Sequence, residues 1–407
     1  MMQLKEPTYM KLMLFILPLI NFVSGIAIDL YAPSMPAIAV EFNTTSQMVQ
    51  NTITVFLIGW AIGCVLWGAI FDLYGRRKII LGVLAAFIVS SIIAPHCYNI
   101  EQIMVIRLIQ GIATAAISVG SRALVADHFT GHEFIVAIIY VSIAYGLGPV
   151  IAPVIGGYLQ YHFGWRANFY AFAICGAVMF MLVLFLVSER HKAKVILNVK
   201  SMLHSYSVIL RHLIFLAGCI IVGCAQIELL VYPTIGPFLV EKQMHYSSII
   251  YGQSALLPGV GYLLGSIINR SLLRRFRQRQ LVRFGFILMS IAVIMQILCG
   301  WFGSLNILEL VLPIVLITLA NGFIIGNIIS SCIKLFQNNA GVAIASQIGL
   351  SMVCGGIGIF LVSTIEVSRL FDVAKIFVVI IIIQFLMYKY FARIFSKEIV
   401  PMIINPK

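Results

Sequence analysis

Gly68-Ala-Ile-Phe-Asp72-Leu-Tyr-Gly75-Arg76-Arg77-Lys78 closes one long apolar run and opens the next. Glycine suits a tight chain reversal that needs positive φ. The three cations complement the carbonyl dipole at the end of the preceding helix, and Asp72 can pair with them. A topological stop signal needs the cations, but it needs neither Asp72 nor the spacing of Gly68 and Gly75. On both sides of this stretch the chain is too apolar for water. Of 407 residues, 61% are apolar and 10% are charged, against roughly 25% charged in soluble domains. The mean hydropathy is +1.04. These values exclude a disordered chain or a secreted disulfide framework. The continuous apolar runs exclude an outer-membrane barrel, whose strands alternate.

A membrane helix needs about 20 predominantly apolar residues. Candidate spans run near 11–32, 47–72, 78–96, 102–124, 134–160, 165–188, 212–239, 248–270, 282–302, 308–333, 341–364 and 373–393, twelve in all. The first follows Lys5 and Lys11 as a signal peptide would, but no small-residue cleavage site is evident, so it reads as a retained helix. Lys and Arg number 27 against 14 Asp and Glu. Twenty-one of the cations fall at the termini and in even-numbered connections, four fall in odd-numbered ones, and Arg107 and Arg122 lie inside the fourth span. This bias predicts both termini in the cytoplasm of a bacterial inner membrane. It explains the net charge of +13 by topology, so no nucleic-acid partner is expected.

The stretch Glu189–Arg211 halves the chain, and an internal repeat crosses it. Asp29-Leu-Tyr-Ala-Pro33-Ser-Met-Pro36 ends the first span and Glu228-Leu-Leu-Val-Tyr-Pro233-Thr-Ile-Gly-Pro237 ends the seventh. Gly68-x-x-x-Asp72 has its counterpart in Gly265-x-x-x-Asn269-Arg270. The expected architecture is all-α, with six-helix halves at 1–190 and 212–407 and a cytoplasmic loop over 191–211. Parallel repeats of this kind characterise one large transporter class.

The loop over Gly68, Asp72, Gly75, Arg76 and Arg77 closely resembles the signature loop of the major facilitator superfamily. Arg107-Leu-Ile-Gln110-Gly111 resembles that family's fourth-helix motif; an arginine inside a span must face a partner, a carbonyl or a watery cavity. In the fifth span, Gly146-Leu-Gly148-Pro149-Val-Ile-Ala152-Pro153-Val-Ile-Gly156-Gly157 is similar to the family's antiporter motif, though Ala152 stands where glycine is usual. Small residues at this spacing also serve close helix packing alone. With Gly164-Trp165-Arg166, Asp29-x-Tyr31-x-Pro33, Gly236-Pro237-Phe238 and Gly341 with Ala345, the chain resembles drug/proton antiporters of the bicyclomycin-resistance type. Asn269, in place of an acid, and Glu228 depart from the pattern.

The resemblance implies proton-coupled export of small amphipathic compounds by alternating access, with substrate and protons as partners, the bilayer as surroundings, and a monomer. Asp29 and Glu228 are the proton-coupling candidates, Arg107, Tyr31 and Gln110 the cavity residues, and Asp72 with Arg76 and Arg77 a cytoplasmic latch. Asp29 lies about 27 Å along its helix from Lys11, so two readings stay open: carboxylates solvated at the external mouth, or acids facing the cavity. Asp127 and Glu133 are weaker coupling candidates. A dedicated metabolite or siderophore carrier and a transporter-like sensor are the alternatives. No Gly-rich phosphate loop precedes a Lys-Ser/Thr pair, no nucleophile constellation stands out, and the eight cysteines form no CxxC. No enzyme activity, cofactor or metal is therefore expected.

Overall fold

In the computed structural model the described residues are 6–189, 207–302, 305–336 and 340–404. They form thirteen α-helices, α1 to α13. The first seven are α1 Glu6–Ile26, α2 Met35–Glu41, α3 Ser46–Tyr74, α4 Arg76–Ile93, α5 Ile100–His128, α6 Gly131–Phe163 and α7 Trp165–Leu186. The second set is α8 Leu213–Pro237, α9 Ser248–Leu272, α10 Gln278–Phe302, α11 Ile307–Lys334, α12 Ala340–Ser363 and α13 Leu370–Ile404. Eleven of the described helices are long and apolar enough to cross a membrane. Helix α9 is equally long at 25 residues but carries Gln253, Ser254, Asn269 and Arg270; it completes the twelve. The short α2 is the thirteenth. Most of the expected central loop, residues 191–206, lies outside the described residues, as does the Asp72 side chain.

Helix limits follow local chemistry. Thr45, Asn99 and Asn306 cap α3, α5 and α11 by accepting backbone N–H groups of Met48, Gln102 and Leu308, satisfying donors that a helix start leaves orphaned. A single residue of positive φ, Gly75 at 85° and Gly164 at 78°, separates α3 from α4 and α6 from α7. The first helix ends sooner than its hydropathy implies. Residues 27–31 turn, Ala32–Ser34 form a 3₁₀ turn, and α2 follows. Pro33 and Pro36 each lack a backbone donor, so the α-helical ladder cannot run through this stretch unbroken. Asp29 therefore sits in the turn beyond α1, not within a helix.

The chain forms two compact units: Met1–Leu197 with Tyr232–Gly259, and Asn198–Val231 with Val260–Lys407. In the first, α3 packs along α5, α1 along α6, and α4 against α5 and α7. In the second, α10 packs against α11 and α13. The end of α8 and the first half of α9 thus pack with the first six membrane helices, although the repeat assigns them to the second six.

Candidate functional site

Arg107 is wholly enclosed. Its Nη1 donates to Gln110 Oε1 at 2.9 Å, and its Nη2 donates to the Ala27 carbonyl at 3.0 Å. The guanidinium lies between two rings, 4.7 Å from the centroid of Tyr31 and 4.3 Å from that of Phe56. Gln110 passes the network on by donating to Ser91 Oγ at 2.9 Å. Because Thr52 donates to the Val49 carbonyl, the Tyr31 hydroxyl donates to Thr52 Oγ1 at 2.9 Å. The three expected cavity residues are thus brought together. They form a cross-braced cluster joining the turn after α1 to α3, α4 and α5, and the cation is held by carbonyls and π-faces.

The same unit gathers a second cluster around the turn after α1. Asp29 is 8% exposed and its carboxyl is held by its own backbone amide. Asp29 and Glu241 both lie within electrostatic reach of the fully buried Tyr251 hydroxyl. That hydroxyl and Glu241 Oε1 take no hydrogen-bond partner among the described residues. Tyr251 stacks on Tyr232 with ring centroids 5.6 Å apart. Tyr251 belongs to this constellation although sequence reading passed over it, since only the packing of α9 brings it near Asp29; Glu241, on the π-helical stretch Phe238–Gln243 that follows α8, approaches the same hydroxyl.

Tyr232 donates to Ser254 Oγ, and Ser254 donates to the Tyr251 carbonyl, so the Tyr31–Thr52 arrangement recurs in the second set of helices. These tyrosines fix the repeat register: Glu228 stands at the place of Ala27, and Asp29 at that of Leu230. The two acids are therefore offset along the chain and do not occupy matching places.

Glu228 lies inside α8 and is 0% exposed. Asn321 of α11 donates to its Oε2 at 2.7 Å. Glu228 Oε1 and Asn321 Oδ1 take no partner among the described residues. Asn321 was missed from sequence, although an asparagine beside Gly322 in an apolar helix is a visible signal.

The fifth-span motif lies on α6, and its small residues serve two contacts. A Cβ at Gly148 would fall on the Gly25 backbone of α1, and one at Gly156 on the Leu30 carbonyl. The Pro149, Pro153 and Gly157 carbonyls face α9, where Gly259, Gly252 and Ser248 approach them; Ser248 Oγ donates to the Gly157 carbonyl at 3.0 Å.

The profile of the Major Facilitator Superfamily matches residues 17–363. The chain belongs to that superfamily. The multidrug resistance protein MdtL of Shewanella sp. strain ANA-3 is 27% identical over 349 residues, covering 84% of this chain and 86% of that protein. A bicyclomycin resistance protein homolog of Haemophilus influenzae is 32% identical over 181 residues, covering 44% and 46%. A crystal structure of a D-xylose–proton symporter superposes with a TM-score of 0.78 at 16% identity, covering 94% of this chain and 98% of that one. At that identity the likeness speaks for the fold.

The superfamily's signature loop is here a single residue, Gly75, between two helices. Arg76 bonds Asp127 Oδ1 at 2.8 Å and donates to the Ala123 carbonyl. The backbone amides of Arg76 and Arg77 donate to the two Glu189 oxygens at 3.3 and 3.0 Å, and Arg77 Nη2 donates to the Leu184 carbonyl at 2.7 Å. Asp127 and Glu189 therefore belong to the proposed latch, and Asp127 is engaged as an ion-pair partner. Among the described residues nothing lies within 4 Å of a Cβ at Gly68.

Proposed function

We propose that this superfamily member is a secondary transporter that exports small amphipathic compounds, drugs among them, in exchange for protons across a bacterial inner membrane. One observation carries the coupling: Glu228 is enclosed among apolar helices with an amide neighbour, no described cation, and one oxygen without a partner. Burying an ionised carboxylate without a cation costs several kcal/mol. The protonation of this group is thereby tied to whether its surroundings open to water or receive a cationic substrate. Asp29 is the second acid in this reading, with the Tyr251 hydroxyl within its electrostatic reach. The drug-resistance names of the relatives support the substrate class.

In this account the six-helix halves 1–190 and 212–407 are the alternating bodies, and the connection 191–211 lies with both ends of the chain on the cytoplasmic side. The α6–α9 contact at Gly157, Ser248 and Gly252 closes the external end and must part during the cycle. Gly75, Arg76 and Arg77, with Asp72, Asp127 and Glu189, stabilise one access state at the cytoplasmic end. Arg107, Gln110 and Tyr31 hold the wall that the cavity opens against.

Proteoliposomes with an imposed pH gradient, screened with lipophilic cations and with siderophores, test the proposal. Accumulation of a cation against its gradient, abolished by a protonophore, is the expected result. Gradient-driven flux of siderophores alone would replace it with the carrier reading.

A further inference from the structure

The two sets of helices repeat their backbone but not their charge. Counted from the capping residues Asn99 and Asn306, Asp127 of α5 and Lys334 of α11 occupy the same position in their helices. Asp127 neutralises Arg76 at the start of α4. Its counterpart is a cation beside the start of α10, where Arg277 and Arg279 flank Gln278. The other acid of the loop motif is exchanged as well: Asn269 stands in place of Asp72, and its Oδ1 accepts from Asn327 Nδ2 at 2.9 Å. From Val260 onward the chain's acids are Glu309, Glu366, Asp372 and Glu398. The first three belong to the opposite helix ends. This end carries Arg270, Arg274, Arg275, Arg277, Arg279, Arg283 and Lys334.

The cations border a cavity of about 640 Å³. Arg277, Arg279 and Lys334 line it together with Phe276, Tyr388 and Phe391. Two of the cations have neutral partners: Lys334 donates to Gln278 Oε1 and Arg279 to the Ala392 carbonyl, both at 3.4 Å. No carboxylate among the described residues pairs with any of them. Gln278 and Arg279, the first residues of α10, line the cavity, so the dipole of that helix adds to the attraction for an anion. A site lined by three cations, by aromatic side chains and by the first residues of a membrane helix fits a charged headgroup on an apolar stem.

We infer that this cavity binds the phosphate of an anionic phospholipid, with Arg277, Arg279 and Lys334 on the headgroup and the aromatic wall against its glycerol and acyl stem. In the first set Asp127 pairs with Arg76 and Glu189 accepts from the amides of Arg76 and Arg77, so acids of the chain itself occupy the equivalent helix start. The charge exchange at Lys334 is what creates the site.

The test uses the purified full chain in neutral detergent, with binding of phosphatidylglycerol and phosphatidylcholine followed by native mass spectrometry. Phosphatidylglycerol is expected to bind at least about tenfold tighter than phosphatidylcholine, as a cluster of three cations implies. Lys334→Asp, which restores the acid of the first set, should remove that preference and leave phosphatidylcholine binding and the elution profile unchanged. Arg277→Gln with Arg279→Gln should do the same if Lys334→Asp fails to fold. Equal binding of the two lipids by the native chain would overturn the inference, as would an undiminished preference in the folded variants. Inorganic phosphate at 100 mM should leave the lipid bound; its displacement of the lipid would make this a free-anion site instead.

Discussion

Arg107 shows how much one residue's chemistry fixes and how much it leaves open. Its place in an apolar span requires a partner, and Gln110 three residues on is a visible one. Its remaining neighbours, the Ala27 carbonyl and the Phe56 ring, depend on how α1 and α3 rotate against α5, and no spacing encodes that rotation. Arg107→Ala leaves two buried acceptors without donors and two rings without a cation, at a cost of about 2–4 kcal/mol. A fall of several degrees in detergent unfolding temperature is the expected readout. Arg107→Lys keeps the charge but offers no planar fork for both acceptors, so its unfolding temperature should fall between the two. An unchanged temperature in Arg107→Ala would remove the bracing role. The acids divide in the same way. Asp29 and Glu228 stand out in sequence because carboxyls are rare there, but Asn321 and Tyr251 become their neighbours only through packing.

Among elements, α6 was the most legible, because glycines and prolines at three- and four-residue spacing announce close contact on more than one face. What sequence could not supply was the partner of each face, α1 for Gly148 and α9 for Gly157. Gly148→Val should destabilise by at least about 2 kcal/mol through overpacking. Gly82→Ala on α4, where nothing lies within 4 Å of a Cβ, should be neutral or gain about 0.5–1 kcal/mol. Equal unfolding temperatures for the two variants would contradict the α1–α6 contact. The end of α2 was the least legible. Glu41 accepts from Trp165 Nε1 and pairs with Arg166, whose Nε also donates to the Pro95 carbonyl at 3.1 Å. Trp165 and Arg166 were visible as a motif, yet nothing in the Asn43-Thr44-Thr45 turn after Glu41 indicates that this acid returns to meet them. The hydrogen bonds from Arg166, more than that from Trp165, hold the Glu41 carboxyl below its usual range despite some opposing burial. A lowered folded value gives stability that is present above the unfolded carboxylate value of about 4.3 and lost as pH falls through the folded one. The unfolding-temperature difference between the native chain and Glu41→Gln should therefore be present at pH 6 and shrink below about pH 4. A difference independent of pH would show that the ion pair is not its source.

At the scale of the whole molecule, hydropathy made the twelve helices readable before any packing was known, because the bilayer restricts spanning structures to helices and closed barrels; the placement of cations proposes their orientation. The repeat was readable too, but its register was not. It took the paired hydroxyls of Tyr31 with Thr52 and Tyr232 with Ser254 to align the two sets. Nor does hydropathy reveal that Tyr232–Gly259 packs with the first unit. Orientation is tested in a cysteine-free background, with single cysteines at the exposed positions Arg277 and Lys242. In intact cells an impermeant thiol reagent should label position 242 and spare position 277. The reverse pattern would invert the proposed topology.

The central claim is that a substrate cation and a proton compete for the same buried carboxyl. It is tested most directly by adding tetraphenylphosphonium to the purified, weakly buffered chain in detergent and following a pH indicator. The native protein should release about one proton per bound cation as a carboxyl changes state. Glu228→Gln keeps an acceptor for the Asn321 amide but cannot ionise, and it should bind the cation with little or no proton release. Asp29→Asn, measured alongside, reports whether the turn acid shares the exchange. Cation binding without proton release by the native chain, or full release by Glu228→Gln, would contradict the account.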